Sequence, residues 1–210
     1  MFKKTIIQII IICLVTFNLL IACKEKNKEN KIILFGDSLM SGYGLDKEHH
    51  LSTILEKNLT KAGYKVKIIN QSVSGDTSSE GLNRINQTLA EENINIIVLC
   101  LGANDMLRKI NPSKTEKNLE KIINLIHDKE IKIIMAGMIS PITNGFSYKK
   151  KFDPIYKNLS NKYKLSFIPF LLEGIALKPE FNLEDGMHPN AKGIKIISKN
   201  IEKKIIRMIN

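Results

Sequence analysis

The sequence predicts an α/β protein in which a parallel sheet is covered by helices on both faces. Five short runs rich in Ile, Val and Leu recur along the chain, and segments with a helical spacing of apolar residues separate them. Strands buried on both faces read as continuous apolar runs, and parallel strands need crossover connections, which are usually helices. The 210 residues fit one domain, and 43% hydrophobic with 25% charged residues indicates a folded chain.

The order of the elements follows from these runs. The predicted strands cover residues 32–35, 66–69, 94–101, 131–135 and 165–168. Residues 77–80 and 113–116 both fit the capping box, in which a hydroxyl and a carboxylate satisfy the free amides at a helix start. Pro189 suits the first turn of the last helix. That helix is predicted from an apolar stripe formed by Ile194, Ile197, Ile201 and Ile205.

The N-terminal residues predict export and a lipid anchor. Lys3 and Lys4 precede an apolar run over residues 5–22, which has the layout of a secretory signal and lies near the lower length limit for a membrane-spanning helix. The run ends in Leu-Ile-Ala-Cys, which resembles the lipobox of bacterial lipoproteins. This resemblance implies a signal peptide over residues 1–22, acylation of Cys23, and anchoring on the periplasmic or cell-surface side of a membrane. An uncleaved membrane helix is the alternative.

The polar residues 24–30 contain no apolar side chain, so residues 23–30 are interpreted as the lipidated cysteine and its tether, and residues 31–210 as the folded domain. The chain carries 32 Lys and Arg against 21 Asp and Glu. The lysines are spread over the predicted helices, and no aromatic residues interleave them as base stacking requires. We therefore expect no nucleic-acid partner.

The sequence implies no metal and no cofactor, because it contains neither H-E-x-x-H nor C-x-x-C. Its three cysteines, at positions 13, 23 and 100, do not suggest a disulfide framework. Cys100 ends an apolar run, so we expect a buried and unreactive thiol there.

Polar motifs follow the predicted strands, at the edge where open α/β sheets bind ligands. Gly-Asp-Ser-Leu occupies residues 36–39, Ser-Val-Ser-Gly-Asp-Thr residues 72–77, and Gly-Ala-Asn-Asp residues 102–105. Asp-Gly-Met-His occupies residues 185–188, before the last helix. Each motif alone is common. Together they bring a hydroxyl, an imidazole, a carboxylate and amide donors to one edge, which is the set that an acyl hydrolase needs.

These four motifs, in this order, resemble the SGNH hydrolases of the GDSL family, in particular the bacterial arylesterase and thioesterase I/lysophospholipase type. The likeness extends from Lys31 to the C-terminus. It implies a three-layer α/β/α fold with a five-stranded parallel sheet in the flavodoxin-like order 2-1-3-4-5. It also implies an acyl pocket formed in part by residues 138–145. The site residues that it implies are Ser38, Gly75, Asn104, Asp185 and His188.

The chemistry of these residue types agrees with the roles that the resemblance implies. Ser38 needs a base, which His188 can supply, and Asp185 can accept the Nδ1–H of that imidazole. The backbone amides of Ser38 and Gly75 and the side chain of Asn104 can form an oxyanion hole. The other histidines are predicted on helices, away from the strand ends: His49, His50 and His127.

Four further polar residues lie beside these motifs. Asp37, Asp76 and Asp105 are interpreted as structural carboxylates that bind loop amides. Arg108 follows the third motif, and two interpretations stay open for it: contact with a phosphate group or exposure to solvent.

The leading functional prediction is a serine esterase that cleaves carboxylic acyl esters or thioesters through an acyl-Ser38 intermediate. Lysophospholipids, aryl esters and acyl thioesters are the substrates that the resemblance implies. One alternative is a carbohydrate O-acetylesterase, which a polar open groove would favour over an apolar slot. The other is a non-catalytic surface lipoprotein that binds a partner or lipid, which a broken motif would favour.

Overall fold

The computed structural model describes residues 29–209, which form one parallel sheet of five strands between two layers of helices. All four strand pairings are parallel, and the strand order is 2-1-3-4-5, as the resemblance implied. The strands are β1 (Asn30–Gly36), β2 (Val66–Asn70), β3 (Ile94–Cys100), β4 (Lys132–Ala136) and β5 (Ser166–Ile168).

Each strand overlaps its predicted run and differs from it by one or two residues at the ends. The agreement has a physical cause, because the two central strands have no exposure to water along most of their length and are therefore apolar on both faces. Predicted ends are less certain than predicted strands, since strand ends carry no comparable signal.

The helices between the strands are α1 (Ser38–Ser41), α2 (Leu51–Lys61), α3 (Ser78–Thr88), α4 (Ala103–Leu107), α5 (Pro112–His127), α6 (Phe146–Phe152), α7 (Pro154–Lys162) and α8 (Ala191–Ile209). Short 3₁₀ helices lie at Lys47–His49, Ile142–Asn144 and Pro179–Phe181. Helices α2 and α8 contact each other on one face of the sheet, and α3, α5 and α7 form the other layer.

The predicted helix starts are confirmed at α3 and corrected at α5 and α8. Thr77 and Glu80 form the predicted capping box. The box predicted at residues 113–116 is wrong, because the Asn111 side chain accepts from the Ser113 amide at 3.0 Å and caps the helix two residues earlier. At α8, Oδ1 of Asn190 accepts the amides of the second and third helical residues, so Pro189 lies before the helix rather than in its first turn. The predicted stripe of four isoleucines on α8 is buried.

The predicted signal peptide and Cys23 lie outside the described residues, as does most of the predicted tether. Strand β1 begins at Asn30, one residue before the predicted start of the domain. Within residues 29–209, no helix combines the length and the apolar character needed to cross a membrane. Cys100 is buried, as expected, and it is a free cysteine within the described part of the chain.

The sheet brings the predicted motifs to one edge. In the strand register, Gly36 is paired with Cys100, and Asn70 is paired with Leu34. The three strands β1, β2 and β3 therefore end close together, and the segments that follow them must share one surface.

Candidate active site

Ser38 is the first residue of α1, directly after the central strand β1. The Asp37 side chain caps this short helix by accepting the Leu39 amide at 3.0 Å, and the Asp37 carbonyl accepts the amides of Met40 and Ser41. The helix therefore starts immediately at the strand end, and Ser38 lines a cavity at that edge of the sheet.

The structure brings the three predicted triad residues into contact. Oγ of Ser38 lies 2.9 Å from Nε2 of His188, and Nδ1 of His188 lies 2.6 Å from Oδ2 of Asp185. The His188 side chain is only 16% exposed.

The hydrogen bonds of Asp185 determine how the imidazole is protonated. Oδ1 of Asp185 accepts the backbone amides of Met187 and His188 at 2.8 and 2.9 Å. The His188 amide and ring, together with the Met187 amide, lower the pKa of Asp185 to about 2. An ionised carboxylate can only accept, so Nδ1 carries the hydrogen, and Nε2 of the neutral ring is left to accept from the Ser38 hydroxyl.

Tyr43 covers one side of the His188 imidazole. The centroids of the two rings are 4.3 Å apart with an interplanar angle of 35°, and Tyr43 is itself half exposed. An aromatic ring in this position restricts the tilt of the imidazole.

The backbone amides of Ser38 and Gly75, both predicted oxyanion donors, have no hydrogen-bond acceptor among residues 29–209. Gly75 has a φ of +88°, a conformation that favours glycine over any residue with a Cβ. A backbone donor left without a protein partner is available to a ligand.

Asn104, the third predicted donor, is oriented by the connection between β2 and α3, residues 71–77, which we call the Gly75 loop. Its Nδ2 donates to the carbonyl of Asp76 at 3.0 Å. A side-chain amide has two N–H groups, so this bond fixes the orientation and leaves one donor free. Asn104 lines the same cavity as Ser38 and His188, and a bond of 2.9 Å between the hydroxyls of Ser41 and Ser74 joins α1 to the Gly75 loop.

The three aspartates beside the motifs bind protein groups, as expected. Asp105 accepts the amide and hydroxyl of Ser78 at 2.7 and 2.5 Å, and it also accepts the Thr115 hydroxyl. Oδ2 of Asp76 accepts from Nε of Arg84 at 2.5 Å. These bonds join the segments after β2 and β3 to their helices.

Asp37 differs from the other two because it is the one whose second carboxylate oxygen, Oδ2, is buried without a hydrogen-bond partner within the described part of the chain. Burial therefore raises the pKa of Asp37 to about 7, although the Leu39 amide opposes this shift. The turn between β1 and Ser38 thus contains a carboxyl group whose ionisation costs free energy.

Arg108 is exposed to solvent, as one of its two predicted interpretations had it, and it also contacts protein groups. Its Nη2 donates to the carbonyl of Gly75 at 3.0 Å, and its Nη1 lies 3.9 Å from Glu80 on α3. The side chain is half exposed. Arg108 therefore supports the Gly75 loop from the solvent side.

The cavity beside Ser38 has a volume of about 470 Å³, within the range of small-molecule sites. Its walls are formed by α1, α4, the segments after β4 and β5, and the His188 loop, and most of its side chains are apolar. Residues 138–141 contribute, as the resemblance implied. The apolar lining includes Leu39, Met106, Leu107, Met138, Ile139, Phe170, Leu172, Leu177 and Met187.

Sequence reasoning did not identify Tyr43 or Arg84. Tyr43 lies five residues after Ser38 in an irregular segment, and Arg84 lies on a helix among other polar residues. Neither belongs to a motif, and only the folded chain shows what each of them contacts. Among residues 29–209, no group of three or more His, Cys, Asp or Glu side chains is arranged to hold a metal ion.

Comparison with known proteins agrees with this geometry. The model of the GDSL-like lipase/acylhydrolase family matches residues 34–196. An arylesterase of Vibrio mimicus is 33% identical over 94% of this chain and 98% of its own length. The thioesterase 1/protease 1/lysophospholipase L1 of Escherichia coli K12 is 29% identical, with 85% of each chain covered.

Comparison with solved structures also identifies an esterase as similar to this chain. The crystal structure of TesA superimposes with a TM-score of 0.81 at 30% identity, and the match covers 85% of this chain and 99% of TesA. The chain therefore belongs to the GDSL-like lipase/acylhydrolase family and is a GDSL-type serine ester hydrolase.

Proposed function

We propose that this protein hydrolyses carboxylic acyl esters and thioesters by two-step catalysis on Ser38, with His188 as the base and Asp185 as the orienting carboxylate. The continuous contact from Ser38 Oγ through the His188 ring to Asp185 carries this proposal. A serine hydroxyl is a weak nucleophile, and a base within hydrogen-bond reach is what activates it.

In the first step, Oγ of Ser38 attacks the acyl carbonyl while its proton moves to Nε2 of His188. The imidazolium that forms is stabilised by the ionised Asp185. The tetrahedral intermediate then collapses, its bond to the leaving oxygen or sulfur breaks, and His188 returns the proton to that atom. The product of this step is acyl-Ser38.

Negative charge on the carbonyl oxygen develops in front of three donors. These are the backbone amides of Ser38 and Gly75 and the free N–H of Asn104. The Asp76 carbonyl holds Asn104, and the Ser38 and Gly75 amides have no acceptor among residues 29–209, which supports an arrangement that needs little reorganisation when the charge forms.

In the second step, a water molecule attacks the acyl-enzyme. His188 takes one proton of the water as its oxygen bonds to the acyl carbon, and it returns that proton to Oγ of Ser38 as the ester bond breaks. A free carboxylic acid leaves, and the site is restored.

The substrate class follows from the cavity beside Ser38. Its side chains are mostly apolar, which suits the hydrocarbon chain of an acyl group better than the hydroxyls of a sugar. We therefore favour acyl esters, lysophospholipids and acyl thioesters over acetylated carbohydrates. The intact contact between Ser38 and His188 favours a catalyst over a non-catalytic binding protein.

We also propose that the chain is exported and anchored through lipid on Cys23, from the motif at residues 20–23. The described chain begins seven residues before the end of β1, and β1 ends beside Ser38, about 20 Å from its own start at ~3.3 Å per residue. Membrane fractionation tests the anchor: Cys23→Ser should move the protein from the membrane to the soluble fraction, and an unchanged distribution would contradict it.

A hydrolysis panel tests the proposed activity. It comprises p-nitrophenyl esters of increasing chain length, lysophosphatidylcholine and acetylated sugars, with Ser38→Ala as the blank. We expect turnover of the esters and the lysolipid that Ser38→Ala abolishes. Turnover of the acetylated sugars alone, or equal rates for wild type and Ser38→Ala, would contradict the proposal.

A further inference from the structure

We infer that Arg84 is a positioning residue that holds the oxyanion donors in place beside the nucleophile. This inference rests on the hydrolase mechanism proposed above. Arg84 lies on α3, away from the substrate cavity, and its side chain is only 18% exposed. It therefore acts on the reaction through other residues.

The guanidinium of Arg84 donates to three acceptors on two segments of the active-site edge, the end of β1 and the connection after β2. Nε donates to Oδ2 of Asp76 at 2.5 Å, and Nη1 donates to the Gln71 carbonyl, after β2, at 2.6 Å. Nη2 donates to the Gly36 carbonyl, two residues before Ser38, at 3.1 Å. One side chain thus links the turn after β1, which carries Ser38, to the connection after β2, which carries Gly75.

Asp76 connects this cation to two of the oxyanion donors. Its carboxylate binds Arg84, its carbonyl accepts from Asn104, and the residue directly before it is Gly75. A shift of Asp76 therefore moves the Gly75 amide and turns the Asn104 side chain. Oxyanion donors act over a narrow range of about 2.7–3.1 Å, so a small shift weakens both of them.

The site is built for a guanidinium group. The Arg84 guanidinium lies over the Phe35 ring, with Cζ 4.0 Å from the ring centroid. Its three nitrogens each donate to a different acceptor. A lysine has a compact head that cannot reach three acceptors in one plane. The Asp76 carboxylate, which forms an ion pair with Arg84, is itself only 11% exposed.

Steady-state kinetics of Arg84→Lys and Arg84→Met test the inference on a short, soluble p-nitrophenyl ester. Arg207→Gln is the matched control, because Arg207 is exposed on α8. We expect kcat to fall by about 10- to 100-fold in both Arg84 variants with KM nearly unchanged, which is less than the 10²–10³ typical of deleting a donor. The pH–rate profile should keep its shape, since the three acceptors of Arg84 are Asp76, Gln71 and Gly36 and none of them is a triad residue.

A purely structural role is distinguished by counting competent sites. Diethyl p-nitrophenyl phosphate releases one p-nitrophenol for each active serine, so the burst gives the concentration of working enzyme. We expect a full burst that forms more slowly in Arg84→Lys. Wild-type kcat per titrated site would overturn the inference, even if the melting temperature falls.

A double-mutant cycle with Asn104→Ala identifies the route of the effect. If Arg84 acts through the oxyanion donors, the double variant loses clearly less activity than the product of the two single losses. A loss in the double variant equal to the product of the two single-variant losses would overturn the inference. A wild-type enzyme no more active than Ser38→Ala would instead contradict the proposed function, and the inference with it.

Discussion

Nε2 of His188 lies 2.9 Å from Oγ of Ser38, although 150 residues separate them in the chain. Ser38 is held at the end of the central strand β1, and His188 is held by two hydrogen bonds to Asp185, one from its amide and one from its ring. The contact therefore joins two segments that are distant in the sequence and that the folded domain brings together.

Replacing Asp185 with Asn should reduce kcat by about 10²–10⁴-fold, because an amide can donate to Nδ1 and favour the wrong tautomer of His188. The pKa of Asp185 is about 2, so the carboxylate is ionised throughout the working pH range. The loss is therefore expected at every pH where the wild type is active. Steady-state kinetics check this, with the exposed Asp128→Asn as the control. A loss below tenfold would contradict the role of Asp185.

Replacing Asn104 with Ala should reduce kcat by about 10²–10³-fold, because one oxyanion donor is removed. The melting temperature should change little, since Asn104 is partly exposed and the described structure shows one side-chain bond for it. Kinetics and thermal unfolding are measured together. Asn161→Ala, on the exposed face of α7, is the matched control, and near-wild-type turnover of Asn104→Ala would reject the assignment.

Asp37 should make the protein less stable as the pH rises. Its pKa is raised from 3.8 to about 7, so between these values the folded state holds a proton that the unfolded state has lost. Stability therefore falls between about pH 4 and pH 7 and levels off above pH 7, by an amount on the order of a few kcal/mol. In Asp37→Asn this contribution is absent.

Urea unfolding at pH 4.5, 6 and 8 measures this effect as the difference between wild type and Asp37→Asn. The amide oxygen of Asn can still accept from Leu39, so the cap is preserved. Groups elsewhere titrate equally in both proteins and cancel. Parallel stability curves for the two proteins would show that Asp37 does not carry a raised pKa.

Filling the cavity should shorten the preferred acyl chain. Ala176 lines the cavity, so Ala176→Phe places a ring where the distal carbons of a long chain would lie. We expect kcat/KM for p-nitrophenyl octanoate to fall by at least about tenfold, with the acetate ester nearly unaffected. Ala90→Phe, at an exposed position, is the control. An equal loss on both esters would place the acyl chain elsewhere.

The sequence predicted the sheet well and some helix ends poorly. Buried strands such as β1 and β3 are apolar throughout, so composition alone reveals them. The start of α5 depended on which polar residue capped it, and Asn111 competed successfully with Ser113 because Pro112 favours the first helical position. Neighbouring polar residues that could each cap a helix differ little in free energy, so the sequence pattern does not show which of them is the cap.

The site was predictable only as far as its residues occur in motifs. Ser38, Gly75, Asn104, Asp185 and His188 each follow a strand or precede the last helix, in an order that resembles a known family. Arg84 and Tyr43 act through contacts across space. Arg84 was indistinguishable from a surface residue on α3 until its three acceptors were known.

Covalent labelling tests the central claim most directly. A phosphonate p-nitrophenyl ester transfers its phosphonyl group to an activated serine, and the mass of the intact protein followed by peptide mapping locates the group. The account predicts one adduct, on Ser38, that is absent in Ser38→Ala and forms far more slowly in His188→Asn. Labelling of another residue, or labelling of Ser38 at the same rate without the imidazole, would contradict it.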